Sequence, residues 1–206
     1  MNVFYLPTAQ LGTISFPEEE SKHIVKVLRM KEGDCFCVTD GNGSLYDAEL
    51  VDAHPKRAVA NLSNKRKGYD HRQFKVSIAM APTKLNERTE WFLEKSTEIG
   101  IDEVKLFASY HSERRVANVE RFKKIIVAAM KQSVKSKMPV IEDVVPFEKL
   151  VKQNFKGQKF IAWIDENVRE QLCDLYKKGE SVIVLIGLLL LWQRVAMKIC
   201  SIIVVL

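Results

Sequence analysis

The spacing of hydrophobic and polar positions changes once along this chain, near residue 70. Before that point short alternating runs dominate. "DCFCVTD" (34–40), "SLYDAELVDA" (44–53) and "RAVANLS" (57–63) read as half-buried strands, and "GNG" (41–43) reads as a turn. One helical pattern interrupts them: "EEESKHIVKVLRMKEGD" (18–34) sets His23 or Ile24, Val27, Leu28 and Met30 at helical spacing, with Gly33 as its stop. A small β-barrel with one helix is the predicted architecture. The polar, basic "NKRKGYDHRQ" (64–73) reads as a linker.

After it, "FKVSIAMA" (74–81), "EVKLFAS" (103–109), "QKFIAWID" (158–165) and "ESVIVLIG" (180–187) are apolar runs suited to strands buried on both faces. Helical patterns lie between them, over 87–99 up to Gly100, 118–137 before Pro139, and roughly 166–177 before Gly179. Alternating strand and helix predicts an α/β domain with a parallel sheet.

Composition adds a partner class. Residues 1–72 balance ten Lys/Arg against ten Asp/Glu, whereas 111–140 carry eight Lys/Arg against two Glu, which equals the net charge of +6. Concentrated basicity suits a polyanion such as nucleic acid, although a solvated helix face gives the same composition. On the helix, Lys124, Lys131 and Lys135 fall within an arc of roughly 40°, and Gln132 and Ser133 add a polar pair at the apolar edge. Asn86 is placed to cap the next candidate helix, and Lys84 and Arg88 flank the strand-to-helix turn before it, where open α/β sheets gather ligands. Those two side chains fit phosphate or solvent equally well. A lone helical His such as His23 is more often structural than catalytic. No P-loop, G-x-G-x-x-G, metal-ligand or Ser/His/Asp pattern is present, so no catalytic residue is assigned. Four cysteines without C-x-x-C spacing, behind a start with no secretion signal, predict reduced thiols in a cytoplasmic protein.

Several stretches in order, "FYLPTAQ" (4–10), "HIVKVLRMKEGD" (23–34), "DGNGSLYDAEL" (40–50), "EWFLEKSTEIGIDEV" (90–104), "SERR" (112–115) and "MKQSVKSKMPVI" (130–141), resemble the ribosomal RNA small subunit methyltransferase E family. The resemblance covers about residues 1–187. It implies a PUA-like β-barrel over 1–70, then a SPOUT-like α/β methyltransferase domain of the trefoil-knot class over 74–187. It implies a homodimer that uses S-adenosyl-L-methionine to methylate N3 of one uridine in small-subunit ribosomal RNA. RNA-binding residues would be His23, Lys26 and Arg29 in the barrel, with Lys84, Arg88, Arg114, Arg115, Lys124, Lys131, Gln132, Ser133 and Lys135 beyond it. Glu94, Lys95 and Glu98 would belong to the first α/β helix. Leu185, Ile186 and Gly187 would be what remains of the cofactor edge.

The departure from the family pattern comes after Gly187. The family continues with a Pro-Glu-Gly-Gly loop and later Ser-Leu-Gly and Leu-Arg-Thr-Glu-Thr-Ala segments, whereas this chain continues "LLLLWQRVAMKIC". Leucines cannot give the close backbone approach that glycines allow. Residues 188–206 therefore read as an atypical apolar tail, foreign to the fold, as a frameshift or gene rearrangement just after the Gly187 codon would produce, with the knot incomplete. The alternative function is a catalytically inactive RNA-binding remnant. As a membrane span, 182–206 would centre Arg194 near Lys198, a cost of about 5–7 kcal/mol against roughly 5–10 returned by its Leu, Ile and Val residues. Anchoring is not predicted.

Overall fold

A computed structural model of the chain describes residues 2–68, 70–108, 112, 115–163, 171–187 and 201–204, with Trp163 and 201–204 described through their backbone. Its contacts divide into two compact units, Met1–His71 with Val127–Met138, and Arg72–Ile126 with Pro139–Leu206.

The first unit contains β1 (Val3–Tyr5), β2 (Gly12–Ser15), α1 (Glu18–Lys22) running into a π-helical turn (His23–Val27), β3 (Cys35–Thr39), β4 (Ser44–Asp52) and β5 (Val59–Lys67). The sheet order is β1-β3-β4-β5-β2, antiparallel except for the parallel β1–β3 pair. Alternation along the strands turns Phe36, Val38, Tyr46, Ala48, Leu50, Ala60 and Leu62 into one core, which Ile24 of the π turn completes. Phe4, Phe16 and Phe36 stack within it, with ring centroids 5.0–6.1 Å apart.

Two expectations are corrected here. The helix does not run to Gly33: it is α-helical for one turn, then widens, with Leu28 N–H donating to His23 O at 3.0 Å and Met30 N–H to Ile24 O at 3.1 Å. Arg29 then adopts φ 54°, which turns the chain sharply and lets Met30 enter the core. The supposed linker starts late, because β5 continues to Lys67. Asn64, at φ 48°, sits where the register slips between Leu45↔Arg66 and Asp47↔Ser63, so a bulge breaks the alternation that would have marked a strand.

Residues 127–138 bring the end of α3 (Val119–Gln132) into this unit. The predicted helix to 137 is also corrected. It stops at Gln132, and Lys135 N–H reaches back to Met130 O at 3.0 Å around Val134, whose φ of 57° is unusual for a β-branched residue. The turn that follows is tied to the sheet. Thr39 Oγ1 and Gly43 N–H both donate to Ser136 O at 2.9 Å. Asp70 accepts from the Ser136 and Lys137 amides at 3.0 and 3.2 Å and from the Ser136 hydroxyl. Gly68 leaves room for this, since a Cβ there would lie 1.9 Å from Ser136 Oγ.

The second unit holds β6 (Val76–Met80), α2 (Asn86–Ile99), β7 (Glu103–Ala108), β8 (Val140–Ile141), β9 (Val145–Pro146), α4 (Phe147–Val151), β10 (Gln158–Trp163), α5 (Leu172–Leu175), β11 (Val182–Ile186) and β12 (Ser201–Val204). Its strands are all parallel, in the order β12-β10-β11-β6-β7-β8, with β9 also on β7. The four apolar runs form β6, β7, β10 and β11 as predicted. On one face Ala79, Phe107, Ile161, Ile183 and Leu185 pack with Leu150 of α4; on the other Phe160, Val182 and Val184 pack against Leu172, Leu175 and Tyr176. Buried Asp102 pins the start of the sheet, accepting from the Val76 amide at 2.8 Å and from Arg72 at 2.6 Å. Ser201–Val204 pairs with Phe160–Trp163, so part of the tail read as foreign occupies a sheet edge. Residues 188–200, which bear on the knot, lie outside the described residues, as does most of the predicted helix start at 166–170.

Removing the Asp70 carboxylate should free two buried or half-buried amides at once. Asp70→Ala is expected to cost about 2–3 kcal/mol, read as a lower urea midpoint with an unchanged slope.

Candidate nucleic-acid interface and cofactor edge

The π turn decides what the first unit presents. Ile24 is fully buried and Val25 packs on the core, so the widened turn pushes Val27 and Leu28 outward, 67% and 37% exposed. Lys26 and Arg29 are exposed beside them, and half-buried His23 rests edge-on against Phe4 at 5.8 Å. Lys131 reaches the same ring, with Nζ 5.8 Å from its centroid, while Glu20 holds that ammonium at 2.8 and 3.1 Å. His23 and Lys131, far apart in sequence, thus share Phe4. A π-bulge is a frequent companion of functional sites, because it re-aims side chains without ending the helix.

Lys131 is half-buried and committed to Glu20, so its first partner is a carboxylate of the same unit. Gln132 is exposed; Ser133 donates its hydroxyl to Ala129 O at 2.7 Å; Lys135 is half-buried beyond the helix end. Lys124 is exposed on α3, and Arg115 is exposed ahead of it. Arg114 lies outside the described residues.

In the second unit the carboxyl ends of β6 and β11 are neighbours, through the Met80↔Ile186 pair. Lys84 and Arg88, both exposed, follow the first strand, and Gly187 follows the second. The predicted cap is corrected: Leu85 occupies the cap position without a side-chain bond, and Asn86 is the first helical residue. Thr83 organises the turn instead, donating its hydroxyl to Leu85 O at 2.7 Å and lying 3.0 Å from the Thr89 hydroxyl. Gly100 closes the helix in the left-handed conformation, as predicted. Within it Lys95 sits between Glu94 and Glu98 at 2.7 and 3.0 Å, and these hydrogen bonds raise its pKa. Arg121 of α3 pairs with Glu90 of α2 at 2.7 Å.

Sequence reasoning missed the cluster around Asp47. Hydrogen bonds from Asn64 and Arg66 hold its carboxyl below the usual range, and burial pushes the neighbouring Cys37 thiol up. Among the described residues no group of His, Cys, Asp and Glu could hold a metal ion, and no helix is long and apolar enough to cross a membrane.

Residues 16–63 match the family described as RNA methyltransferase PUA domain, and residues 70–187 match the RNA methyltransferase domain. The chain belongs to the ribosomal RNA small subunit methyltransferase E family. That enzyme of Bacillus subtilis is 25% identical over 191 residues, covering 85% of this chain and 73% of the relative. The Rickettsia conorii enzyme is 22% identical, with 79% and 65% covered. A crystal structure of a probable rRNA-methyltransferase from Porphyromonas gingivalis superposes with a TM-score of 0.88 at 35% identity, over 99% of this chain and 89% of that one. The Neisseria gonorrhoeae ribosomal RNA small subunit methyltransferase E bound to S-adenosyl methionine shares the fold, with a TM-score of 0.85 at 20% identity, over 100% and 88%. The PUA-like sheet followed by a parallel α/β domain is therefore the fold of this family. The domain match ends at Gly187, where the sequence leaves the family pattern.

Glu20→Gln should leave the half-buried Lys131 ammonium without its carboxylate and cost about 1–2 kcal/mol. Adding Lys131→Met should recover part of that loss, which a double-mutant cycle from chemical denaturation would measure.

Proposed function

We propose that this RNA methyltransferase acts on small-subunit ribosomal RNA, with S-adenosyl-L-methionine as methyl donor and N3 of one uridine as acceptor. The observation that carries the reading is the pairing in one chain of the PUA match at 16–63 with the methyltransferase match at 70–187. The relatives are named ribosomal RNA small subunit methyltransferase E. His23, Lys26 and Arg29 at the π turn are the RNA contacts of the first unit; Lys84, Arg88, Arg115 and Lys124 are those of the second, and Arg114 is assigned with them from the sequence. Gln132, Ser133 and Lys135 extend the first set, with Lys131 as the side chain that fixes its edge through Glu20 and Phe4. The working form is a homodimer in the cytoplasm.

The cofactor-edge residues do not by themselves fit an adenosyl group. Leu185 is buried in the sheet core, and the Ile186 carbonyl already accepts from Ala81 N–H at 3.3 Å. Gly187 follows β11 directly, and no transfer step is derived through it. This observation favours a second reading, in which the chain binds ribosomal RNA without methylating it.

Calorimetric titration of S-adenosyl-L-methionine into the folded chain separates the two. Micromolar binding, with tritium transferred from labelled cofactor to small ribosomal subunits, supports the enzyme; no heat and no transfer, with RNA binding retained, selects the second reading. Absence of RNA binding overturns both. Arg29→Ala should weaken RNA binding uniformly across sequences and lower the salt slope of log K by about 1, measured by filter binding.

A further inference from the structure

The parallel sheet of the second unit has a second edge. A cavity of about 420 Å³ lies along one face of the sheet, running from Lys75 and Ser181 at the amino-terminal ends of β6 and β11 as far as Leu185 of β11. Lys75 immediately precedes β6, Lys159 is the second residue of β10, and Lys156 comes from the loop before it. The floor is apolar, formed by Leu150, Phe155 and Ile183. A fourth lysine, Lys105, is already satisfied: Glu103 holds it at 3.0 Å, Gln153 accepts from it at 3.2 Å, and Glu103 in turn accepts from buried Ser77 at 3.0 Å. Lys75, Lys156 and Lys159 have no such carboxylate among the described residues.

The loop that builds this wall is fixed in place. Gly157 adopts φ 146°, and a Cβ there would lie 2.2 Å from the Ser181 carbonyl, so only glycine permits the close approach to β11. Gln158 N–H donates to that same carbonyl at 2.8 Å, and the Ser181 hydroxyl accepts from Lys75 N–H at 3.1 Å. Backbone thus holds the lysine-bearing segments around a preformed cavity.

We infer that this cavity binds a nucleoside monophosphate group, with its phosphate on Lys75, Lys156 and Lys159 and its ring against the apolar floor. Lys75 and Lys156 are exposed and Lys159 half-buried around the cavity, and the one carboxylate in its lining, Glu103, is already held by Lys105. A phosphate, with up to two charges and several acceptor oxygens, answers three ammonium donors better than a single carboxylate does. The volume lies at the small end of the range of about 300–1,000 Å³ for ligand pockets, more than inorganic phosphate needs. Gln153, whose carbonyl is occupied by Lys105, keeps its amide N–H groups for a base edge. The group can arrive as a free nucleotide or as an unpaired nucleotide of RNA. Leu185 contributes to the cavity wall, but none of the three lysines belongs to the cofactor edge, so the phosphate subsite does not depend on the methyl-transfer reading.

Equilibrium dialysis of the full chain with labelled cytidine 5′-monophosphate tests it, because that probe carries neither the adenosine of the cofactor nor uracil. Submillimolar binding is expected, with cytidine or inorganic phosphate alone at least tenfold weaker. Lys75→Gln and Lys159→Gln should each weaken it about tenfold, the loss of one charge-assisted hydrogen bond, with thermal unfolding unchanged. Competition by a short unstructured oligoribonucleotide would assign the site to RNA; no competition would assign it to free nucleotides. Absence of binding, or binding indifferent to both lysine substitutions, overturns the proposal.

Discussion

A sheet whose strands all run the same way imposes its own geography. Each strand must be reached by a crossover that returns the chain to the starting edge, and both faces must be covered because every strand is apolar on both. In this protein the rule applies to β6, β7, β10 and β11 alike. Their carboxyl ends therefore gather on one edge, with Lys84, Arg88 and Gly187 behind them. Their amino ends gather on the other, with Lys75 and Ser181 ahead of β6 and β11 and Lys159 at the start of β10. Two chemically distinct rims follow from one pairing direction.

The first unit solves a different problem. Its antiparallel sheet has little helix to cover it, so one short helix must fill the core and still expose side chains. Widening to a π turn does both. Ile24 stays in the core while Val27, Leu28 and Arg29 face outward. The segment 127–138 then docks on the same unit through buried polar groups, with Asp70, Thr39 and Gly43 sharing the Ser136 turn. Such bonds are directional, so they fix position where apolar packing alone would allow sliding.

What could be read from the sequence follows from where each signal resides. Strands β6, β7, β10 and β11 were legible because burial on both faces leaves an unbroken apolar run. The helix ends were not. Val134 and Arg29 stop their helices with positive φ, and neither residue type announces that, whereas Gly100 does. The end of β5 was hidden because the bulge at Asn64 breaks the alternation. That Lys131 pairs with Glu20 was not legible, because the two lie 111 positions apart and no local pattern links them. The amino-edge lysines were invisible as a group, since four separate segments supply the cavity around them. That Ser201–Val204 would pair with β10 was not legible, because an apolar tail carries no mark of the strand it will join.

That last strand closes a border. β10 pairs with β11 on one side and, through Phe160–Trp163, with Ser201–Val204 on the other. Without β12, β10 would be an outer strand whose unpaired N–H and C=O groups invite another chain.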